Sequence, residues 1–356
     1  MKKNKKILLV LVIAVLTIIL GVFIWFKNGQ KAVQSSNGEN IRVEIEEGSG
    51  SSKIAKLLEE KNVIKSASVM KIYVKLHKIT NLQAGKYDLN NSENLSDVLM
   101  HIQNGEVAKD EIKLTFVEGK NMRNFAKVIA NNTKNTEEDV FELLEDEEYI
   151  DSLIEKYWFL TDDIKNEDIY YPLEGYLLPD TYIFENDEVS VKTIFNVMLN
   201  YMDNFLSEHK EDVKYNMHQI MTLASIAELE GVEFEDRQEI VGVLINRVNK
   251  GMSLGSDVTT YYAFKIDMGD RDLTKKELKT ENPYNTRGPN MNGKLPVGPI
   301  CNPSKDAILA TLNYTETENL YFVADKNKKV YFTKTNDEHN KLIQKLKNDG
   351  LWYEYE

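Results

Sequence analysis

From Ile7 to Phe26 twenty consecutive positions carry no charge, and only Thr17 and Gly21 interrupt the apolar run. A helix of that length spans about 30 Å of hydrocarbon, and without a polar stripe it has no solvent face for a soluble core. Lys2, Lys3, Lys5 and Lys6 precede it. A short basic flank stays cytoplasmic, so the rest of the chain is expected outside the membrane. The rival is a cleaved signal peptide, but the run exceeds a usual signal core and KNGQKAVQSSNG after it lacks a convincing small-x-small cleavage site. The expectation is a cytoplasmic tail at 1–6 and a single-pass transmembrane helix at 7–26, with the C-terminal bulk extracytoplasmic.

Residues 27–40 are polar and aperiodic, rich in Gly, Ser, Asn and Gln, and read as a flexible linker. Arg42 to Glu46 then alternates as a strand, Gly48 to Ser52 turns, and Ile54, Leu57 and Leu58 recur at helical spacing. A second helix near Ala67 to Leu76 and a strand at Gly85 to Leu89 complete a β-α-α-β unit within 41–110. This unit resembles the LysM carbohydrate-binding module, which grips polymers of N-acetylglucosamine. Its opening recurs: Glu47-Gly48 before IAKLL matches Glu118-Gly119 before FAKVI at the same offsets, each behind an alternating strand. In each, glycine supplies the freedom for a strand-to-helix turn. Chance similarity of two ordinary βα starts is the alternative.

Residues 111–190 are therefore read as a second βα repeat and connecting region. They hold acidic helices from Glu137 to Lys156 and the segment YYPLEGYLLPDTYIF from Tyr170 to Phe184. Its aromatic rings, with Glu174 and Asp180 among them, suit sugar faces or a domain junction equally. Residues 191–356 are helical to about Lys250 and loop-rich to Pro303. A helix, a hairpin of Leu320 to Ala324 and Lys329 to Thr333, and a last helix follow. The fold class is α+β, with 191–356 as the catalytic domain.

Charge and absent motifs narrow the chemistry. The chain's net charge is −13, and its first 26 residues carry four lysines and no acid, so the exported part is more negative still. Nucleic acid is excluded as a partner. One cysteine, Cys301, permits no intramolecular disulfide, as in an envelope protein that relies on its core. About 320 exported residues suffice for two or three domains. There is no phosphate-cradling glycine loop, no G-x-S-x-G elbow and no His or Cys pair at metal spacing. The five histidines, His77, His101, His209, His218 and His339, are scattered. No cofactor and no metal is expected. Carboxylates remain, the equipment of glycosidic-bond cleavage.

The best carboxylate lies in QIMTLASIAELEG, Gln219 to Gly231. At 100° per residue Ile220, Leu223, Ala224 and Ala227 share one face, while Glu228 and Glu230 diverge by about 160° and cannot share a site. Ala227 and Ile226 lie one turn beneath Glu230. Such an apolar wall raises a carboxyl pKa and keeps the group protonated as a general acid. The alternative is that Glu230 merely ends a helix before a C-terminal glycine, although the dipole disfavours an acid there.

LASIAELEG with EIVGVLINRVNKGMSLGSDVTTYYA, then NPYNTRG, LPVGPICNPS, LYFVAD and EHNK, resembles the endolytic murein transglycosylase (MltG, or YceG-like) family. VEG at Val117 to Gly119 and LPDTY at Leu178 to Tyr182 belong to the same pattern. The resemblance implies a lytic transglycosylase that cuts the bond between N-acetylmuramic acid and N-acetylglucosamine in nascent peptidoglycan, leaving 1,6-anhydro ends. The family's catalytic acid, the second glutamate of its E-x-E helix, falls on Glu230. Orientation of the substrate is assigned to Asn246, Arg247, Asp257, Tyr284, Asn285, Thr286 and Asn302, each of which also suits a bracing role in a helix or turn. Tyr321 and Phe322 read as core strand residues and His339 as an exposed helix histidine. Gly231 stands where the family commonly has Ser or Thr, and Arg287 to Lys294 is longer than usual. The expected partners are peptidoglycan glycan strands, cell-wall synthases (penicillin-binding proteins) and the elongation or division machinery. A hydrolytic muramidase with Asp257 as base, or a non-catalytic peptidoglycan-binding scaffold, remain as alternatives.

Overall fold

The structure is a computed structural model that describes residues 2–108 and 111–352, with side chains from Lys6 onward. It is a mixed α/β protein whose chain divides after residue 110 into two compact units.

The first unit opens with helix α1, Lys2–Gly29. Its apolar side chains from Ile7 to Trp25 are all about half exposed, and by length and composition the helix is able to cross a membrane. Thr17, the polar interruption, returns its hydroxyl to the carbonyls of Ile13 and Ala14 at 3.0 and 2.8 Å, so no side-chain donor is stranded. Strand β1 (Asn40–Ile45), helices α2 (Ser51–Glu60) and α3 (Ala67–Leu76), and strand β2 (Gly85–Asn90) follow, then helix α4 (Leu95–Asn104). β1 and β2 pair antiparallel from Asn40↔Asn90 to Ile45↔Gly85. Val43, Ile54, Leu58, Met70, Tyr87, Leu89 and Ile102 form the core beneath them.

The polar linker departs from its sequence reading. Phe26 packs against this core, the Gln30 carbonyl accepts from Leu95 N at 2.9 Å, and Gln34 N donates to Asn91 O at 3.0 Å. Asn91, 4% exposed, also receives Glu39 N on its side chain at 2.9 Å. Composition registers the segment's polarity, but not that a buried asparagine 52 residues from Glu39 satisfies its backbone.

In the second unit strand β3 (Ile112–Thr115) leads through Gly119 to helix α5 (Met122–Asn132). Gly119 has φ +71° and Gly48, in the equivalent turn of the first unit, has φ +77°. Only glycine takes this left-handed geometry without strain, which accounts for the repeated Glu-Gly. Helices α6 (Glu137–Glu145) and α7 (Glu147–Lys156) break at Asp146, whose side chain accepts from Tyr149 N and caps the second. Strand β4 (Thr181–Phe184) pairs antiparallel with β3, Ile112 opposite Phe184. Then come α8 (Val191–Ser207), α9 (Met217–Glu230), α10 (Phe234–Asn249), α11 (Asp257–Ala263), α12 (Lys305–Leu312), strands β5 (Tyr321–Ala324) and β6 (Val330–Thr333), and α13 (Asn336–Asn348).

Two cores meet on α9. Ile220, Met221 and Ala224 join Phe125, Phe159, Tyr176, Phe195 and Met198, whereas Leu223, Ile226 and Ala227 join Ile240, Leu244, Tyr262 and Tyr284. Residues 111–190 thus share one core with those from 191 onward instead of forming a separate connecting region. The helix is buried on all sides, so its single apolar face understates its packing. Thr222 and Ser225 are tolerated inside because their hydroxyls return to the carbonyls of His218 and Thr222, at 2.7 and 2.8 Å.

Candidate active site

The C-terminal turn of α9 carries two glutamates with opposite surroundings. Glu228 Oε2 accepts from Ser304 N at 3.0 Å and Oε1 from Arg237 Nη2 at 3.2 Å, tying α9 to the starts of α12 and α10. Arg237 Nε also reaches the Gly231 carbonyl at 3.1 Å. Gly231 is not a left-handed cap: its φ is −117°. Glycine serves close approach there, since a Cβ would lie 2.9 Å from Arg237 Cγ and 3.0 Å from Ile240 Cδ1.

Glu230 faces a cleft of about 520 Å³ walled by the loop into α11, by β5 and by α13. Ser256 Oγ donates to Glu230 Oε1 at 2.6 Å. Ser256 occupies the N-cap position of α11, but its side chain makes no capping bond and is spent on the glutamate. Among the described residues Oε2 has no hydrogen-bond partner, which leaves it for a substrate. Burial pushes the Glu230 carboxyl above its usual range and Asp257 adds to the rise. The Ser256 hydrogen bond and the Arg287 and Arg247 charges oppose it. A carboxyl under these opposing influences is suited to give up and take back a proton.

Arg247 and Asp257 share the cleft with Glu230. Arg247 is fixed by Nε to Leu320 O and Nη1 to Leu254 O, both 2.6 Å, with its guanidinium 5.1 Å from the Tyr321 ring centre. Asp257 is more than half exposed and ion-paired to Arg287.

The other five residues expected to orient substrate do not line this cleft. Asn246 Nδ2 braces the carbonyls of Thr317 and Asn319, at 2.6 and 3.1 Å. Tyr284 is fully buried among Tyr170 and Tyr262, and its hydroxyl accepts from Tyr170 N at 3.3 Å. Asn285 holds the carbonyls of Glu277 and Thr280, at 2.9 and 2.7 Å, while Thr286 Oγ1 accepts from Ser256 N at 3.0 Å. Asn302 Oδ1 receives Gly175 N and Leu177 N at 3.0 and 3.2 Å, and its Nδ2 donates to Glu174 at 3.0 Å. Buried backbone in this loop-rich region demands polar partners, and these side chains supply them. Glu174 serves the same scaffold: it receives Met122 N and the Tyr262 hydroxyl, and burial pushes its carboxyl up to about 8.

Two sequence readings are corrected: Tyr321 is half-buried and lines the cleft, and His339 is half-buried in the same wall, whereas Phe322 both packs against the second core, as read, and lines the cleft. Ser256 and Arg287 join the site beyond the residues expected to orient substrate, Arg287 as the first residue of the long stretch that ends at Lys294. The SDVTTYYA and YNTRG stretches contained them, but only the fold brings residues 26 and 57 positions beyond Glu230 to its carboxylate. Cys301 is buried, with its thiol donating to Ser225 O at 3.3 Å. Among the described residues no three His, Cys, Asp or Glu side chains are grouped to hold a metal ion.

Residues 43–345 match the model of the YceG-like family. A protein of Bacillus subtilis (strain 168) named endolytic murein transglycosylase is 35% identical over 332 residues, covering 92% of this chain and 91% of that one. A Streptococcus pneumoniae protein (strain D39) of the same name is 30% identical over 338 residues, 90% of this chain but 60% of the longer relative. A crystal structure of a YceG-like protein from Listeria monocytogenes superposes with a TM-score of 0.60 and 37% identity. It covers 86% of this chain and 100% of that one. With the match running from β1 into α13 and through the helix that carries Glu230, the chain belongs to the YceG-like family.

Proposed function

We propose that the protein is a membrane-anchored endolytic transglycosylase of peptidoglycan and that Glu230 is its acid and base. Family membership, with relatives named for this activity, makes the chain a peptidoglycan lytic transglycosylase. One observation supports the assignment to Glu230 above the rest: it is a carboxyl with a raised pKa in a cleft whose other carboxylate, Asp257, is ion-paired at the rim. A lytic transglycosylase needs one such group. Glu230 gives its proton to the oxygen joining N-acetylmuramic acid to N-acetylglucosamine, then as carboxylate takes the proton of the muramyl 6-hydroxyl. That hydroxyl attacks the anomeric carbon and closes the 1,6-anhydro ring, so water is not consumed. The walls orient the sugar and exclude solvent.

Helix α1 holds the enzyme to the cytoplasmic membrane with its bulk outside. Because Gln30, Gln34 and Glu39 are hydrogen-bonded to Leu95 and Asn91 of the first unit, that unit sits at the end of α1 and not on a long tether. The β-α-α-β part of this unit is the LysM-like glycan-holding element. Such an arrangement favours strands newly emerging beside the synthases, which the enzyme terminates by cutting.

The test is product chemistry. Purified full-length protein in detergent is incubated with glycan strands and the new ends are read by mass spectrometry. Anhydromuramyl ends are expected. Free reducing ends would instead establish hydrolysis and overturn the transglycosylase reading.

A further inference from the structure

The cleft contains a histidine that the chemistry above does not use. His339 lies in EHNK and is fixed in the first turns of α13 by the Thr335–Glu338 capping box, with its own N–H donating to Thr335 O at 3.0 Å. Its ring lines the cleft that Glu230 faces and sits 5.3 Å from the ring of Tyr321, which Arg247 also contacts. Nδ1 is buried and has no hydrogen-bond partner. The buried histidine elsewhere in this unit, His218, shows what a structural role requires. Its Nε2 donates to Val297 O at 2.8 Å and its Nδ1 receives the Tyr176 hydroxyl at 2.9 Å. Folding has completed His218 and left His339 open.

We propose that His339 is a substrate-binding residue, whose imidazole N–H holds the N-acetyl carbonyl of a 2-acetamido sugar in the Glu230 cleft; this rests on the transglycosylase reading. Burial and the Arg247 charge hold the ring below the usual histidine range, and the positive end of α13 acts in the same direction. A neutral imidazole has one donor and one acceptor. A stranded N–H is rarer in proteins than an under-used acceptor. The proton therefore belongs on Nε2, leaving the lone pair on buried Nδ1. Arg247, with Nε and Nη1 already engaged, adds a fixed positive charge on the same wall. Donor and cation together select an acceptor oxygen. An amide carbonyl is the strong acceptor that every N-acetylated residue of the glycan carries.

The experiment uses the Glu230→Gln protein, which is expected to bind without cutting. Its probes are a tetrasaccharide of alternating N-acetylglucosamine and N-acetylmuramic acid and the same compound after de-N-acetylation. With His339 intact the acetylated probe is expected to bind about five- to tenfold more tightly, the scale of one hydrogen bond. His339→Phe, which keeps the ring contact with Tyr321, should abolish that preference. His339→Gln, whose amide reaches the Nε2 position, should restore it, and His339→Asn, which reaches only Nδ1, should not. An unchanged preference in His339→Phe overturns the proposal. If that variant does not fold, equal preferences in His339→Gln and His339→Asn overturn it. Cleavage by the unmutated protein is measured beside these: cleavage without a His339 effect sinks this inference alone, whereas absence of cleavage sinks the transglycosylase reading.

Discussion

The 2.6 Å hydrogen bond from Ser256 to Glu230 makes a prediction whose sign is fixed. In Ser256→Ala a donor to the carboxylate is lost, and the carboxyl should titrate higher. A hydrogen bond to a charged group is worth about 1.5–3 kcal/mol and one between neutral groups about 0.5–1.5 kcal/mol, so the ionised form loses roughly 1–1.5 kcal/mol more than the protonated form. At about 1.4 kcal/mol per unit, the pKa rises by about one unit. The protonated acid starts the reaction, so activity falls as pH rises through this pKa. The alkaline limb of kcat/KM against pH should therefore move up by about one unit. Glycan-strand cleavage followed between about pH 5 and 10 is the assay, since kcat/KM reports groups of the free enzyme. Because the Ser256 side chain does not cap α11, thermal unfolding serves as a control and should move little. An alkaline limb that stays in place, or moves down, would refute the assignment of Glu230 as the proton donor.

Asp257→Asn should shift the same limb the opposite way, because Asp257 raises the Glu230 carboxyl. Anhydro products should still form, whereas an enzyme using Asp257 as base would lose turnover. Asn302→Ala leaves the buried Gly175 and Leu177 N–H groups without their acceptor. It should destabilise the fold by about 2–4 kcal/mol in urea unfolding, with KM unchanged for the folded fraction. Unaltered stability with a raised KM would return Asn302 to the substrate. Gly231→Ala sets an overpacking cost of about 1–3 kcal/mol against about 0.4–1 kcal/mol gained from a stiffer unfolded chain. Net destabilisation near 1 kcal/mol is expected in thermal melts, and a more stable variant would show that Arg237 and Ile240 yield freely.

What could be read from sequence was whatever obeys a local period. Helix α3 occupies Ala67–Leu76 as the spacing indicates, and the last hairpin lies within a residue of its alternating strands. The divergence of Glu228 and Glu230 also followed from helical geometry, and their surroundings differ accordingly. Long-range satisfaction of polar groups was not legible. Asn285, Thr286 and Asn302 look like a sugar-binding set, yet all three are fully buried and consumed by scaffold backbone or neighbouring side chains. Conversely Tyr321 and His339 look ordinary, and gain importance only because β5 and α13 form a wall of the cleft that α9 reaches. Composition misled once more at residues 30–39, where a polar stretch is held by Asn91.

The central claim, that Glu230 moves the proton, is tested most directly by one exchange in one assay. Glu230→Gln keeps the side chain's size, and Gln can still accept from Ser256, but it cannot donate and regain a proton. The release of 1,6-anhydromuramyl ends from glycan strands is measured by mass spectrometry, with thermal unfolding run alongside. Loss of general acid catalysis predicts a fall of about 10²–10⁴-fold in rate for a protein that melts no lower than the original. Cleavage within a few-fold of the original rate by a folded Glu230→Gln protein would contradict the account.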